Sequence, residues 1–92
     1  MRIIGTIEHP HLKISVFKND GRTSVKFENP LYEQTYKLGQ DDRFATVADV
    51  QKLVDEDFVQ SVLAQFQAMH QTRTRALARF EPAREEFFEE II

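Results

Sequence analysis

Two histidines, His9 and His11, have a spacing that could bind a metal ion. On a strand, residues two apart point to the same side, so both imidazole rings could reach one ion. However, Pro10 lies between them and favours a turn, and the 92-residue chain contains no cysteine and only one further histidine, His70. We therefore interpret His9 and His11 as surface residues at a turn, and we expect neither a bound metal nor a cofactor.

Carboxylates occur in three groups that could supply a general acid and a general base. Such a pair works when the two environments separate the pKa values. Here the first group lies in a predicted loop, the second at a predicted helix start, and the third on the polar face of the C-terminal segment. The chain also has no glycine-rich phosphate loop, serine nucleophile elbow or thiol. We predict no catalytic residue and rank a small enzyme third among the functional hypotheses. The three groups are Asp41 and Asp42; Asp55, Glu56 and Asp57; and Glu85, Glu86, Glu89 and Glu90.

The most basic segment contains Arg73, Arg75 and Arg79. Arg75 and Arg79 lie one turn apart on a predicted helix, where two guanidinium groups could hold a phosphate or a carboxylate. Residues 81–92 contain five glutamates and one arginine. We therefore favour pairing of these arginines with glutamates of the C-terminal segment, in the same chain or in a partner chain.

Net charge is −3, which does not indicate a strongly basic nucleic-acid-binding protein. No apolar run approaches the roughly 20 residues of a membrane-spanning helix, so we expect no membrane partner. The first eight residues are too short and too quickly polar for a signal peptide, so we expect a cytoplasmic protein.

The positions of these residues depend on a hairpin predicted over residues 12–27. Its two arms alternate apolar and polar residues, and Asp20-Gly21 between them favours a type I′ turn, in which Gly21 has a positive φ. This turn pairs apolar with apolar residues on one face. On the other face it pairs an acid with a base. The predicted pairs are Val16 with Val25, Ile14 with Phe27, Lys13 with Glu28, and Ser15 with Lys26.

Two further strands are predicted, one on each side of the hairpin. The first covers residues 2–8, and its register is open: one alternative turns Ile4 and Thr6 towards the apolar face, the other Ile3, Gly5 and Ile7. The last strand covers residues 32–38, after a turn over residues 28–31. If the apolar–polar alternation continues through this turn, the predicted pairs are Phe27 with Tyr32, Thr23 with Tyr36, and Lys26 with Glu33. Tyr32 and Tyr36 could stack on bases, but beside Phe27 we interpret them as core residues.

Two helices should cover the apolar face of this sheet. Thr46 and Asp49 resemble a capping box, and Val47, Val50, Leu53 and Val54 follow at helical spacing. Asp55 is a candidate N-cap for a second helix of residues 56–80, which ends before Pro82. Its apolar stripe contains Phe58, Val59, Val62, Leu63, Phe66 and Met69, and continues more sparsely through Arg73, Ala76, Leu77 and Phe80.

The sequence thus predicts one α+β domain over residues 1–92, with element order β-β-β-β-α-α. Residues 1–38 form a four-stranded antiparallel meander, residues 46–80 form the helices, and residues 82–92 form an acidic amphipathic tail. A helix over residues 56–80 would be about 37 Å long, whereas a seven-residue strand spans only about 23 Å. The sheet therefore cannot cover the whole helix, and the second half of the helix should be solvated, bend back or pack against another chain.

Our leading hypothesis is a small, non-enzymatic domain that forms a homodimer and binds another macromolecule, for example a protein. The candidate interface residues are Arg73, Arg75, Leu77, Arg79, Phe80, Phe87, Phe88, Ile91 and Ile92. The alternative hypothesis is a single-stranded nucleic-acid-binding protein that uses the outer sheet face. The residues proposed for that face are Lys13, Phe17, Lys26 and Lys37.

Phe66 lies at the middle of the predicted apolar stripe and should be a core residue that packs on the sheet. Truncating a buried phenylalanine to alanine typically costs about 3–5 kcal/mol of unfolding free energy. We expect this loss for Phe66→Ala in denaturant unfolding monitored by circular dichroism. A variant with the stability of the parent would show that another face of the helix meets the sheet.

Overall fold

The computed structural model describes residues 1–80, which form an α+β fold. Four antiparallel strands make one open sheet in the order β1-β2-β3-β4, and helices follow. The predicted tail of residues 82–92 lies outside the described residues. The elements are β1 (Arg2–Ile7), β2 (Lys13–Asn19), β3 (Arg22–Glu28), β4 (Glu33–Gly39), a short 3₁₀ helix (Asp42–Phe44), α1 (Val47–Leu53) and α2 (Glu56–Ala78).

The β2–β3 hairpin has the predicted turn and register. Asp20 and Gly21 have φ values of 53° and 74°, so both residues adopt the left-handed conformation that a type I′ turn requires. This turn leaves only one way for the two arms to pair without moving apolar side chains to the other face. The four predicted pairs are all present: Val16 with Val25, Ile14 with Phe27, Ser15 with Lys26, and Lys13 with Glu28.

The predicted register between β3 and β4 is wrong by two residues. The structure pairs Val25 with Tyr36, Phe27 with Gln34, and Glu28 with Glu33. The physical reason is the turn: Asn29 N–H donates to the Tyr32 carbonyl, which places Pro30 and Leu31 at the tip. Proline suits the first tip position because its φ is already near the required value. A shift of two keeps every side chain on its predicted face.

The first strand combines features of both predicted alternatives. Ile7 pairs with Ile14 and Gly5 with Val16, but a bulge at Ile4 changes the parity, so that exposed Ile3 lies opposite Phe17. Helix α1 lies against β1. A Cβ atom built on Gly5 would be 2.6 Å from Val47 Cγ2. The lack of a side chain at this residue therefore permits the close approach of α1.

Both helices begin at the predicted caps. The Thr46 Oγ1 accepts from the Asp49 N–H at 3.2 Å, and the Thr46 N–H donates to the Asp49 carboxylate at 3.1 Å. These two bonds form the capping box predicted for α1. The Asp55 carboxylate accepts from the Phe58 N–H and caps α2. Each cap satisfies a backbone N–H that has no partner within its own helix.

The core lies between the inner sheet face and the two helices. Phe27 is fully buried, and its ring centroid lies 5.1 Å from that of Phe58 on α2 and 5.9 Å from that of Tyr36 on β4. Phe66 is 5% exposed, as predicted for a core residue. Tyr32 and Tyr36 pack against the same core, also as predicted. Its buried apolar members are Ile7, Leu12, Ile14, Val16, Val25, Phe27, Val50, Val59, Val62 and Phe66.

Helix α2 crosses β3 and β4 and then continues past the end of the sheet. Phe58 contacts the aromatic residues of both strands, whereas His70 reaches only Tyr32, beside the β3–β4 turn. Between them, the Gln34 side-chain amide donates to the Val62 carbonyl at 2.9 Å. Residues 71–80, which we call the overhang, extend about 15 Å further at the helical rise.

Replacing Gly21 with valine should lower the unfolding free energy by about 1 kcal/mol or more, because a β-branched residue is strained at a φ of 74°. Gly21→Asn is the matched control, since asparagine tolerates the left-handed conformation. Denaturant unfolding of both variants measures the difference. Equal stability of the valine variant and the parent would contradict the assigned turn.

Replacing Gly5 with alanine should cost about 1–3 kcal/mol, because the new Cβ would clash with Val47. Val47→Ala in the same chain removes the clashing methyl groups. We therefore expect the double variant to be more stable than the sum of the two single changes predicts, by about 1 kcal/mol. Strict additivity of the two changes would show that α1 does not press on Gly5.

Candidate functional site

The overhang presents the described part of the predicted interface to solvent. Leu77 is 41% and Phe80 is 76% exposed. Arg73, Arg75 and Arg79 are also exposed. Within residues 1–80 none of these three arginines forms an ion pair. Phe87, Phe88, Ile91 and Ile92, the other predicted interface residues, lie outside the described part of the chain. The overhang therefore brings apolar and basic side chains together on one short helical segment.

A groove of about 710 Å³ lies between the β3–β4 turn and the start of the overhang. The Tyr32 hydroxyl and His70 Nδ1 are 2.9 Å apart and hydrogen-bonded, and this contact ties the turn to α2. Leu31, at the tip of the turn, is 61% exposed. The residues that line the groove are Asn29, Leu31, Tyr32, Leu63, Phe66, Gln67, His70 and Gln71. Gln71, the first residue of the overhang, also lines the groove, so the groove lies next to the overhang.

The outer face of the sheet holds the four residues predicted for a nucleic-acid surface, but their environments differ. Lys26 Nζ lies 3.4 Å from Glu28, 3.8 Å from Glu33 and 5.2 Å from the ring centroid of Phe17. The pairing of Lys26 with Glu33 was predicted, although the two residues prove to be diagonal neighbours. Lys13 lies directly opposite Glu28. Lys13 and Lys26 therefore sit beside carboxylates, and Lys37 lies at the other end of the strands.

At that other end, beside the β2–β3 turn, a small pocket of about 150 Å³ opens on the outer face. We call it the basic pocket. Arg22 and Lys37 line it, both exposed, and none of its lining residues is acidic. Ser24 and Asn19 add a hydroxyl and an amide that can donate hydrogen bonds. The full lining is Met1, Asn19, Arg22, Thr23, Ser24, Lys37 and Gly39.

A bulge between β3 and β4 accompanies the basic pocket. Thr23 pairs with Gly39 and Ser24 with Lys37, so Leu38 is an extra residue in β4. Gly39 has a φ of 76°, and a Cβ built there would meet nothing within 4 Å. Bulges bend a strand and redirect its side chains. Sequence analysis missed Arg22, Ser24 and Gly39 as site residues. The alternation along β3 places Arg22 and Ser24 on the same face as Lys26, but the pocket became apparent only from the pairing of β3 with β4.

His9 and Asp41, two further candidates from the sequence, make local hydrogen bonds. His9 Nδ1 accepts from the His11 N–H at 3.1 Å, a contact within the β1–β2 connection. Within residues 1–80 no group of three or more His, Asp or Glu side chains could hold a metal ion. Asp41 accepts hydrogen bonds from the Arg43 side chain and backbone, and these bonds lower the pKa of its carboxyl.

Comparisons with protein-family models, curated proteins and solved structures found no match to this chain. The fold itself defines the class of the protein: a small α+β protein in which an open four-stranded meander is followed by a short and a long helix. None of the helices in residues 1–80 combines the length and the apolar character needed to cross a membrane.

Proposed function

We propose that the chain is a non-enzymatic domain that forms a homodimer through the overhang and binds another macromolecule. The observation that carries this proposal is the exposure of Leu77, near the end of α2, and of Phe80, just after it. Both residues lie beyond the part of α2 that packs on the sheet. Two further features support a binding role rather than catalysis. Every ionisable side chain in residues 1–80 is at least partly exposed, and the buried polar side chains there are Ser15 and Thr23.

The apolar surface of the overhang is too small to hold two chains together without a further contribution. Burying a fully exposed side chain of this size gains about 1.5–3 kcal/mol, so Leu77 and Phe80, which are only partly exposed, contribute less than roughly 6–12 kcal/mol for both chains of a dimer. Association costs an estimated 4–15 kcal/mol in lost translational and rotational freedom. These two residues alone are therefore marginal. The C-terminal segment contributes Phe87, Phe88, Ile91 and Ile92 to the same chain, so we propose that it completes the interface.

The charges of the overhang and of residues 81–92 favour one orientation of the two chains in the proposed dimer. Arg73, Arg75 and Arg79 make the overhang basic, whereas residues 81–92 have a net charge of −4. In a two-fold dimer, the C-terminal segment of one chain can lie along the overhang of its partner. Exposed arginine–glutamate pairs add little affinity, but like charges placed together disfavour the wrong register. The apolar contacts then supply the affinity and the ion pairs select the register.

Replacing Leu77 or Phe80 with glutamate should separate the dimer, because each change places a carboxylate in the proposed apolar contact. We expect light scattering coupled to size-exclusion chromatography to give twice 10.8 kDa for the parent and 10.8 kDa for either variant. Ile3→Glu is the matched control. Ile3 is 56% exposed on the outer sheet face, so the same change there should leave the dimer intact.

A chain without residues 82–92 should also give the mass of one chain, or aggregate through the uncovered overhang. Combining this deletion with Leu77→Glu removes the apolar cause of aggregation and should give a soluble monomer. A full-length parent that stays monomeric at high concentration would overturn the proposal. A dimer that survives both Leu77→Glu and Phe80→Glu would place the interface elsewhere.

A further inference from the structure

The basic pocket and the overhang lie at opposite ends of the strands. Strand β3 runs from Arg22, in the basic pocket, to Glu28, beside the turn that α2 passes before the overhang begins. A dimer formed through the overhang therefore leaves the basic pocket open. From its geometry we infer that Arg22 and Lys37 at the basic pocket bind two adjacent phosphate groups of a single-stranded nucleic acid, one phosphate each. This inference names the macromolecule of the proposed binding function and does not depend on dimer formation.

Two cations converge on the pocket without a competing carboxylate. Arg22 and Lys37 form no ion pair within residues 1–80, and the nearest acid along the chain, Asp20, is not part of the lining. A guanidinium group can bind two phosphate oxygens at once, and an ammonium group adds a point charge. By contrast, Lys26 is already held by Glu28 and Glu33. Charge complementarity thus favours an anion at Arg22 and Lys37.

An apolar surface lies beside the pocket, in the same cross-strand row. The row runs Ile3, Phe17, Ser24, Lys37 across the four strands. Phe17 and Lys37 are two strand spacings apart, or about 10 Å. Lys26 covers part of the Phe17 ring, and exposed Ile3 extends the apolar surface. A nucleotide with its phosphate in the pocket can place its base on Ile3 and the uncovered part of Phe17.

A single strand fits this surface better than a duplex does. A single strand exposes the faces of its bases for packing on apolar and aromatic side chains, whereas a duplex keeps them stacked inside. The surface offers one small cluster of cations and ends in carboxylates at Glu28 and Glu33. A long duplex would bring its phosphates against these acids. The row of residues therefore suits one or two nucleotides of an extended strand.

The test measures fluorescence anisotropy of labelled oligothymidylate and oligouridylate with the full-length chain. For two phosphate contacts, the logarithm of the binding constant should fall with the logarithm of salt concentration at a slope of about −1.4. Affinity should thus drop about sevenfold between 50 and 200 mM salt. Arg22→Gln and Lys37→Gln should each weaken binding about eightfold at 50 mM salt, with slopes near −0.7.

The control is Lys13→Gln, which removes the same charge from the same face beside Glu28 and should leave the affinity within about twofold of the parent. Ile3→Ser should weaken binding without changing the salt slope, because it removes only an apolar contact. No binding by the parent at 50 mM salt would overturn the inference. An equal loss with Lys13→Gln would also overturn it, because binding would then follow overall charge.

Two further binding measurements, with a duplex and with inorganic phosphate, identify the source of the phosphate. Tighter binding of a duplex of equal length would overturn the assignment to a single strand. Inorganic phosphate that binds the pocket as tightly as the oligonucleotide would overturn the assignment to nucleic acid. Light scattering of Arg22→Gln and Lys37→Gln separates this inference from the dimer: we expect both variants to keep the mass of the parent. A dimer that does not bind oligonucleotides would count against this inference alone.

Discussion

Burial of the inner sheet face is the constraint on which the rest of the structure depends. An open meander has one apolar face, and a sheet of four short strands is stable only if something covers that face. Phe27 is the centre of this contact, fully buried between its neighbours on the sheet and Phe58 on α2. The polar contact from Gln34 to the Val62 carbonyl then orients α2 along β4. The exposure of the overhang follows from this packing arrangement.

The mismatch in length between α2 and the sheet leaves the last part of α2 without a sheet to cover. A helix of 23 residues is about 35 Å long, whereas a strand of seven residues spans about 23 Å. Because Phe58 is fixed over Phe27, the excess length must extend past the β3–β4 turn. The contact between Tyr32 and His70 marks the last point at which the sheet supports the helix. Beyond it, apolar side chains of α2 have no sheet to cover.

The outer face shows a different division, between charges that are satisfied within the chain and charges that are not. Lys26 reaches two glutamates and the Phe17 ring, so the middle of the face and one end are internally balanced. The other end has the bulge at Gly39, which accompanies the opening beside Arg22 and Lys37. Self-association at one end and ligand binding at the other can therefore occur together without competing for surface.

Features that depend on neighbours along the chain could be predicted from the sequence. The left-handed turn at Gly21, the cap at Asp55 and the faces of β2, β3 and β4 follow from local backbone preferences and from the period of two. For the candidate surfaces, the same periods placed Lys37 on the outer face. They also placed Leu77 near the end of α2, and Phe80 just after it, beyond the sheet.

The lengths of turns and the contacts between separate elements could be seen only in the folded structure. Alternation is unchanged by a shift of two, so it could not choose between the two registers of β3 and β4; the turn at Pro30 did. The register of β1 was open as well, and the structure shows a bulge at Ile4 and the close approach of Val47 to Gly5. The basic pocket depends on the pairing of β3 with β4, which places Lys37 opposite Ser24 and in the same pocket as Arg22. A periodic pattern fixes the face of each side chain, but neither the length of a turn nor the distance between two elements.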